Sequence, residues 1–357
     1  MKLDKHIVIL TPGFPKNEKD ENCVPYLQAF VKCLTDHHKE YQISIIALQY
    51  PHHETEYTWN NVMVYGCGGH DRKFPRRMLT WRKCLKFFKR INTAKRVDVI
   101  HSFWLNECAF LGNYLSRKYH TKHLCTLMGQ DVKRPNIYFN LLPLSKMHLI
   151  AVSDFQKRIF LEQTGLLTAS VIQWGLDSKD FGSSNTLFPE IDILGVGSLL
   201  PVKNYSLFVD LIDTIQKEYP SVKAILVGDG PEREMLNERI KMLGLENSLK
   251  LSGTLSRKDV LGLMLRSKIL LHTSLFESYG YVFSEALAAG MDIVSFEVGI
   301  AQATEVWKVC HSDKEMVKQL KFILSNKNFV RKPEVRYSIV ETTNKYIECY
   351  NSLETNV

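Results

Sequence analysis

Short apolar runs alternate with segments of helical hydrophobic spacing along most of the chain. Leu27, Phe30, Val31 and Leu34 recur at helical spacing behind Pro25, which suits a first helical turn. Strands are predicted at 7–11, 42–48, 62–65, 97–102, 123–127, 148–153 and 170–173, then at 191–197, 222–228, 249–252, 269–273 and 292–297. Helices of the second half are predicted at 205–219, 231–243, 257–266 and 280–289. This alternation predicts an α/β protein with mostly parallel sheets.

The length of the chain and one polar segment predict two domains. At 357 residues the chain exceeds what one hydrophobic core usually organises. Gly, Ser, Asn and Pro cluster between the two series of strands, which predicts a linker at 181–190. The flanking segments, 1–180 and 191–333, are then two Rossmann-like, doubly wound domains that face each other across an interdomain cleft. Ligands of such sheets bind beyond the carboxyl ends of the strands.

One segment of the second half carries two acids, Glu277 and Glu285, eight positions apart. Glu277 falls in the predicted loop after strand 269–273, and Glu285 falls in the helix that Gly290 ends. The first amides of that helix attract phosphate, and a carboxylate accepts hydrogen bonds from two neighbouring hydroxyls. A ribose and a sugar beside a phosphate site would satisfy both acids, so the ligand implied is a nucleotide sugar.

The two-acid segment resembles the E-x7-E signature of retaining glycosyltransferases of family 4, which have the GT-B fold. Residues 197–204 resemble the family's Gly-Arg-Leu-x-x-x-Lys-Gly loop, 228–231 its Gly-x-Gly-Pro loop, and 253–255 its base-binding loop. The four segments occur in the family's order. In the first half only fragments at 98–101, 151–153 and 174–177 fit.

The resemblance implies a function and a set of site residues. It implies metal-independent transfer of a hexose, with retention, from a nucleoside-diphosphate sugar to a glycan or lipid-linked acceptor, as in polysaccharide, lipopolysaccharide or capsule biosynthesis. The first domain would bind the acceptor and the second the nucleotide sugar, and a last helix in 334–357 would cross back to the first domain. The catalytic residues would be Glu277, Lys203 and His101. The donor-binding residues would be Gly13, Ser198, Lys203, Gly228, Gly230, Thr254, Leu255, Glu277, Ser278, Tyr279, Gly280, Tyr281 and Glu285.

Two positions depart from the family pattern. Ser198 stands where the family often has an arginine, and Met128 stands where it has a histidine near the reacting sugar. His101, at the end of a predicted strand, is the remaining histidine that could face the cleft, and a satisfied core histidine is the alternative. These departures keep two other hypotheses open: a non-catalytic GT-B binding subunit, and a nucleotide-sugar epimerase or hydrolase.

The sequence predicts neither a metal nor a cofactor. No Asp-x-Asp motif follows a strand, so Lys203 and helix amides are expected to stabilise the departing diphosphate. The eight cysteines include no CxxC pair, which indicates reduced core residues and a cytoplasmic protein. The apolar run at 7–10 is too short for a signal peptide, and no run approaches the roughly 18 residues of a membrane span. Any membrane contact would therefore be peripheral, at the inner face.

Charge is concentrated in residues 72–96, which contain eleven Lys or Arg and no acid. Trp81, Leu85 and Phe88 interleave with these cations at near-helical spacing. Three hypotheses fit this pattern: a solvated helix face, a surface for anionic membrane or acceptor, and a nucleic-acid surface. No nucleic-acid-binding motif accompanies the segment, so no nucleic-acid partner is expected.

Overall fold

The computed structural model describes residues 5–181 and 189–353, and the predicted linker lies largely outside these ranges. The chain forms two compact units. The first comprises residues 1–175 together with 339–357, and the second comprises residues 176–338. The sequence-based boundaries, at 180, 191 and 333, lie within fifteen or so residues of these.

The first unit contains an eight-stranded sheet. Its strands are β1 (Lys5–Gly13), β2 (Tyr41–Tyr50), β3 (Glu54–Trp59), β4 (Val62–Cys67), β5 (Val99–Phe103), β6 (Lys122–Thr126), β7 (His148–Ala151) and β8 (Ser170–Val171). Their order is β3-β4-β2-β1-β5-β6-β7-β8, and every pair is parallel except β3 with β4. Central strands such as β1 are continuous apolar runs because helices cover parallel sheets on both faces.

The antiparallel edge strand β3 was not predicted. It joins β4 through a two-residue turn, Asn60 and Asn61, whose φ angles are 43° and 64°. Positive φ at both positions is typical of a type I′ hairpin turn, which asparagine tolerates. The strand itself alternates exposed and partly buried residues, so its sequence lacks the apolar run that identified the other strands.

The helices of the first unit are α1 (Pro25–His37), α2 (Arg77–Ala94), α3 (Glu107–Tyr119), α4 (Tyr138–Leu141) and α5 (Asp154–Thr164). Helix α2 corrects one part of the sequence analysis. Phe88 is fully buried in the core, Leu85 packs against that core, and the Trp81 indole donates to a Glu107 carboxylate oxygen at 2.7 Å. The aromatic residues therefore face the sheet, because the apolar side of an amphipathic helix covers the nearest core.

The second unit contains a six-stranded parallel sheet. Its strands are β9 (Ile191–Val196), β10 (Ala224–Val227), β11 (Leu249–Gly253), β12 (Ser267–His272), β13 (Asp292–Phe296) and β14 (Trp307–Cys310). Helices α6 (Tyr205–Gln216), α7 (Arg233–Met242), α8 (Arg257–Met264), α9 (Tyr281–Ala288) and α10 (Asp313–Ser325) alternate with them. A last helix, α11 (Ile339–Ser352), belongs to the first unit and packs on α1. Strand β14 and helix α10 were not predicted.

The strand order of the second sheet locates a crevice. The order is β11-β10-β9-β12-β13-β14, so the chain moves outward from β9 through β10 to β11 and then returns to the other side of β9. The loops after β9 and β12 consequently leave the sheet in opposite directions. Such a switch point is where ligands bind in open α/β sheets. Lys203 follows β9, and Glu277 follows β12.

Candidate active site

Hydrogen bonds join the two loops at the switch point. The Leu275 amide donates to the Val202 carbonyl at 2.9 Å, and the Thr273 hydroxyl donates to the Lys203 carbonyl at 2.9 Å. The Ser274 hydroxyl donates to the same Val202 carbonyl at 3.2 Å. These contacts fix the backbone of Lys203 against the loop that carries Glu277.

The side chains of Lys203 and Glu277 form an ion pair between Nζ and Oε1, and both are mostly buried. His272, the last residue of β12, places its Nε2 3.1 Å from the same oxygen, without the alignment of a regular hydrogen bond. Burial alone would raise the Glu277 pKa, but His272 and Lys203 outweigh it and lower the pKa to about 2. Glu277 is therefore a carboxylate at neutral pH.

His272 is a site residue that the sequence analysis missed. Burial lowers its pKa, so the ring is neutral when Glu277 is charged. The ring packs on Phe283 of α9, with centroids 4.5 Å apart, and Phe283 in turn packs on Trp307, with centroids 4.7 Å apart. A histidine at the end of an apolar strand has no linear signal that relates it to a glutamate in the following loop.

The second predicted acid, Glu285 of α9, is also buried. Its partner is Arg257, the first residue of α8, whose Nε and Nη2 both lie 3.2 Å from Oε1. The Nη1 of Arg257 lies 2.7 Å from a carboxylate oxygen of Asp180. Burial raises the Glu285 pKa to about 7, although Arg257 acts in the opposite direction. The sequence analysis did not identify Arg257.

The loop before α9 brings four predicted donor residues together. Gly280 caps the helix with φ 78°, and a Cβ there would lie 2.5 Å from the Phe283 ring, so a side chain would displace that ring. Tyr279 is buried, and its hydroxyl lies 3.1 Å from the Ser284 hydroxyl. Ser278 is buried as well, whereas Tyr281 is partly exposed. The helix begins at Tyr281, one residue later than predicted.

The three glycine-containing loops are linked at the same edge of the sheet. The Leu199 amide donates to the Asp229 carbonyl at 2.9 Å, and the Gly228 amide donates to the Gly253 carbonyl at 3.0 Å. At Gly228, φ is 142°, and a Cβ would lie 1.9 Å from the Gly197 carbonyl oxygen. Only glycine permits this approach of the β9 and β10 loops. The predicted donor residues of these loops are Ser198, Gly228, Gly230, Thr254 and Leu255, of which Ser198 and Thr254 are exposed.

Two predicted site residues belong to the first unit. Gly13 ends β1, and His101 lies in β5. His101 is fully buried, with ring nitrogens 2.7 Å from the Tyr350 hydroxyl and 2.8 Å from the Thr126 hydroxyl. Burial holds its pKa well below the ordinary value. Because both nitrogens have core partners, the contacts favour the core interpretation of His101 over the catalytic one.

The position of Met128 contains a carboxylate-organised loop. Met128 is buried after β6, and the Asp131 carboxylate accepts hydrogen bonds from the amides of Leu105, Met128 and Gly129. Asp131 thereby holds the loop after β5 to the loop after β6. Among the described residues, no group of three or more His, Cys, Asp or Glu has a geometry that could hold a metal ion.

Comparison with solved structures defines the class of fold. Sucrose-phosphate synthase from Thermosynechococcus elongatus superposes with a TM-score of 0.73 over 97% of this chain and 94% of that one, at 15% identity. Anabaena Alr3699/HepE in complex with UDP-glucose superposes with a TM-score of 0.69 over 97% of this chain and 100% of that one, at 16% identity. The fold is GT-B, as predicted from the sequence.

The family assignment rests on the second unit. Residues 179–337 match the family model described as Glycosyl transferases group 1, so this unit is a group 1 glycosyltransferase domain. A human phosphatidylinositol N-acetylglucosaminyltransferase is 32% identical over 159 residues, which are 43% of this chain and 32% of that protein. The match thus spans about a third of that relative's length.

Proposed function

We propose that the protein is a retaining glycosyltransferase that moves a sugar from a nucleoside-diphosphate sugar to a glycan or lipid-linked acceptor. The observation that carries this proposal is the Lys203–Glu277 ion pair at the switch point between β9 and β12. A fixed cation, an ionised carboxylate and the first amides of α9 converge at the edge where such sheets bind ligands. The group 1 glycosyltransferase match covers all three.

The donor we propose is a UDP-sugar. Two solved neighbours are complexes with UDP and UDP-glucose, and the human relative is named for N-acetylglucosaminyl transfer. UDP-N-acetylglucosamine is therefore the first donor to test, followed by UDP-glucose. In this assignment Glu285 accepts hydrogen bonds from the ribose hydroxyls, and Glu277 accepts them from the sugar.

The mechanism follows from the charges of the site. Lys203 and the α9 amides stabilise the diphosphate as it departs, which is electrostatic catalysis by preorganised groups. Glu277, with its pKa near 2, holds no proton at neutral pH and so does not act as a general acid. The acceptor's proton then passes to a leaving phosphate oxygen on the same face of the sugar, which retains the anomeric configuration.

The proposal is tested by incubating the protein with a panel of nucleotide sugars and an acceptor extract containing glycans and lipids. A glycosylated product with the donor's anomeric configuration supports it. An isomerised or hydrolysed donor without product favours an epimerase or hydrolase. Donor binding without turnover favours a non-catalytic GT-B subunit, the hypothesis that Ser198 and Met128 keep open.

Transfer should not require a divalent metal ion. Lys203 already places a cation at the proposed diphosphate position, so we expect activity to persist in EDTA with little loss. Product formation is compared in enzyme treated with EDTA and in enzyme supplied with Mg²⁺ or Mn²⁺. Abolition by the chelator, with recovery on adding either metal, would contradict the proposed role of Lys203.

We propose a cytoplasmic protein that contacts the inner face of a membrane through residues 72–96. None of the helices in the described part of the chain combines the length and apolar character that a membrane crossing needs. The exposed apolar residues near the start of α2 are Phe74, Met78 and Leu79, and they adjoin the exposed cations of the segment. Apolar side chains beside cations suit shallow insertion among anionic headgroups.

Reversing Arg82, Lys86 and Lys89 to glutamate should release the protein from acidic vesicles. Each cation near such a surface contributes about 1 kcal/mol, and added salt should mimic the change because exposed charges are screened over about 8–10 Å. Co-sedimentation with acidic and neutral vesicles measures this. The matched control reverses Lys223, Lys250 and Lys327, which are exposed lysines of the second unit. Equal binding by both triple variants would favour the solvated-face hypothesis.

A further inference from the structure

Arg257 is a mostly buried cation beside the proposed donor site. It begins α8 directly after the 253–255 loop, at the same sheet edge as Lys203 and Glu277. Its guanidinium lies between two carboxylates, Asp180 and Glu285. The ring centroid of Tyr281, also on α9, lies 6.0 Å from the guanidinium carbon. Arg257 is therefore held at the one acid of the second unit that is proposed to meet ribose.

The contacts of Arg257 leave bonding capacity unused. Nη1 donates to Asp180, and Nε donates to Glu285, but Nη2 is buried and makes no regular hydrogen bond among the described residues. Its 3.2 Å approach to Glu285 is an electrostatic contact only. A buried guanidinium nitrogen with an unsatisfied N–H is costly unless a further acceptor meets it. The protein contains a donor group at this point that awaits an oxygen.

We propose that Arg257 and Glu285 together bind the ribose of the donor nucleotide. This inference rests on the proposed function. Each hydroxyl of a vicinal diol can donate one hydrogen bond and accept another. The Glu285 carboxylate accepts from the diol, and Nη2 of Arg257 donates to one of its oxygens. Arg257 also keeps Glu285 ionised in a buried position, where a carboxylate needs a paired cation.

An alternative role for Arg257 predicts the opposite result. If the arginine merely occupies Glu285 and blocks it, removing the guanidinium would free the carboxylate and tighten nucleotide binding. If the arginine binds ribose, removing it weakens binding and also erases the preference for a 2′-hydroxyl. The sign of the change in affinity separates the two.

The test is calorimetric titration with UDP and with 2′-deoxy-UDP. Arg257→Met should bind UDP about 10- to 100-fold more weakly than wild type, the loss expected for a charge-assisted hydrogen bond. The wild-type preference for UDP over 2′-deoxy-UDP should disappear. Arg257→Lys keeps the charge but not the planar fork, so it should lose much of that preference while remaining folded. The control is Arg266→Met, an arginine just beyond the other end of α8.

Two outcomes overturn the inference: UDP affinity in Arg257→Met equal to or tighter than wild type, or an intact preference for UDP in both Arg257 variants. A parallel titration of Lys203→Met separates this failure from failure of the proposed function. If Lys203→Met weakens UDP binding while Arg257→Met does not, the nucleotide site stands and the role of Arg257 is wrong. If the wild type binds neither nucleotide, both proposals are wrong.

Discussion

Replacing Lys203 with methionine should lower turnover by about 100- to 1000-fold, the range found when one preorganised charge-stabilising group is removed. It should also lower the free energy of unfolding by about 3–5 kcal/mol, because Glu277 is left as a buried charge without its cation. His272 cannot replace the lysine, since burial keeps its ring neutral. Initial rates with the active donor and urea unfolding measure the two effects.

The double variant Lys203→Met, Glu277→Gln separates stability from catalysis. Without the Glu277 charge, the buried position contains two neutral side chains, so most of the lost stability should return. Turnover should remain low because the cation for the diphosphate is still missing. Recovery of turnover together with stability would show that the pair serves the fold and not the reaction.

Replacing Glu285 with alanine should weaken binding of the nucleoside diphosphate by about 1.5–3 kcal/mol, the value of hydrogen bonds to a charged group. Glu277→Ala should instead lower turnover with the intact sugar nucleotide, since Glu277 is assigned to the sugar. Calorimetric titration and steady-state kinetics on both variants measure this split. Unchanged affinity and turnover in both would contradict the site assignment.

The pKa of Glu285 adds a pH dependence with a defined sign. Burial raises that pKa to about 7, so the carboxylate is partly protonated at neutral pH in the free protein. A ligand that needs the ionised form binds more tightly as pH rises through 7. We expect affinity for a UDP-sugar to increase between pH 6 and pH 8 by up to about tenfold per pH unit, and to be flat in Glu285→Ala.

The sequence predicted much of the fold because buried parallel strands have a plain signature. β9, β12 and β13 are continuous apolar runs, as expected where helices cover both faces of a sheet. β3 was missed because an edge strand with one exposed face contains polar residues at alternate positions. β14 was missed because its four residues, Trp307–Cys310, are too few to define a pattern.

The candidate site was predicted where its residues lie in one loop and missed where they meet through the sheet. Glu277 and Glu285 share a segment, so their spacing was informative. Arg257 meets Glu285 because α8 and α9 pack together, and His272 meets Glu277 through a bend after β12. Linear spacing contains neither relation. His101 is the reverse case, since a strand-end histidine facing Tyr350 and one facing a ligand have the same sequence context.

The central claim is that the second unit binds a nucleoside diphosphate through Lys203 and Glu285. It is tested most directly by calorimetric titration of the wild-type protein, and of the Lys203→Met, Glu285→Ala double variant, with UDP, GDP and ADP. We predict saturable binding of UDP to the wild type and loss of that binding in the double variant. Failure of all three nucleotides to bind the wild type, or equal binding by both proteins, would contradict the claim.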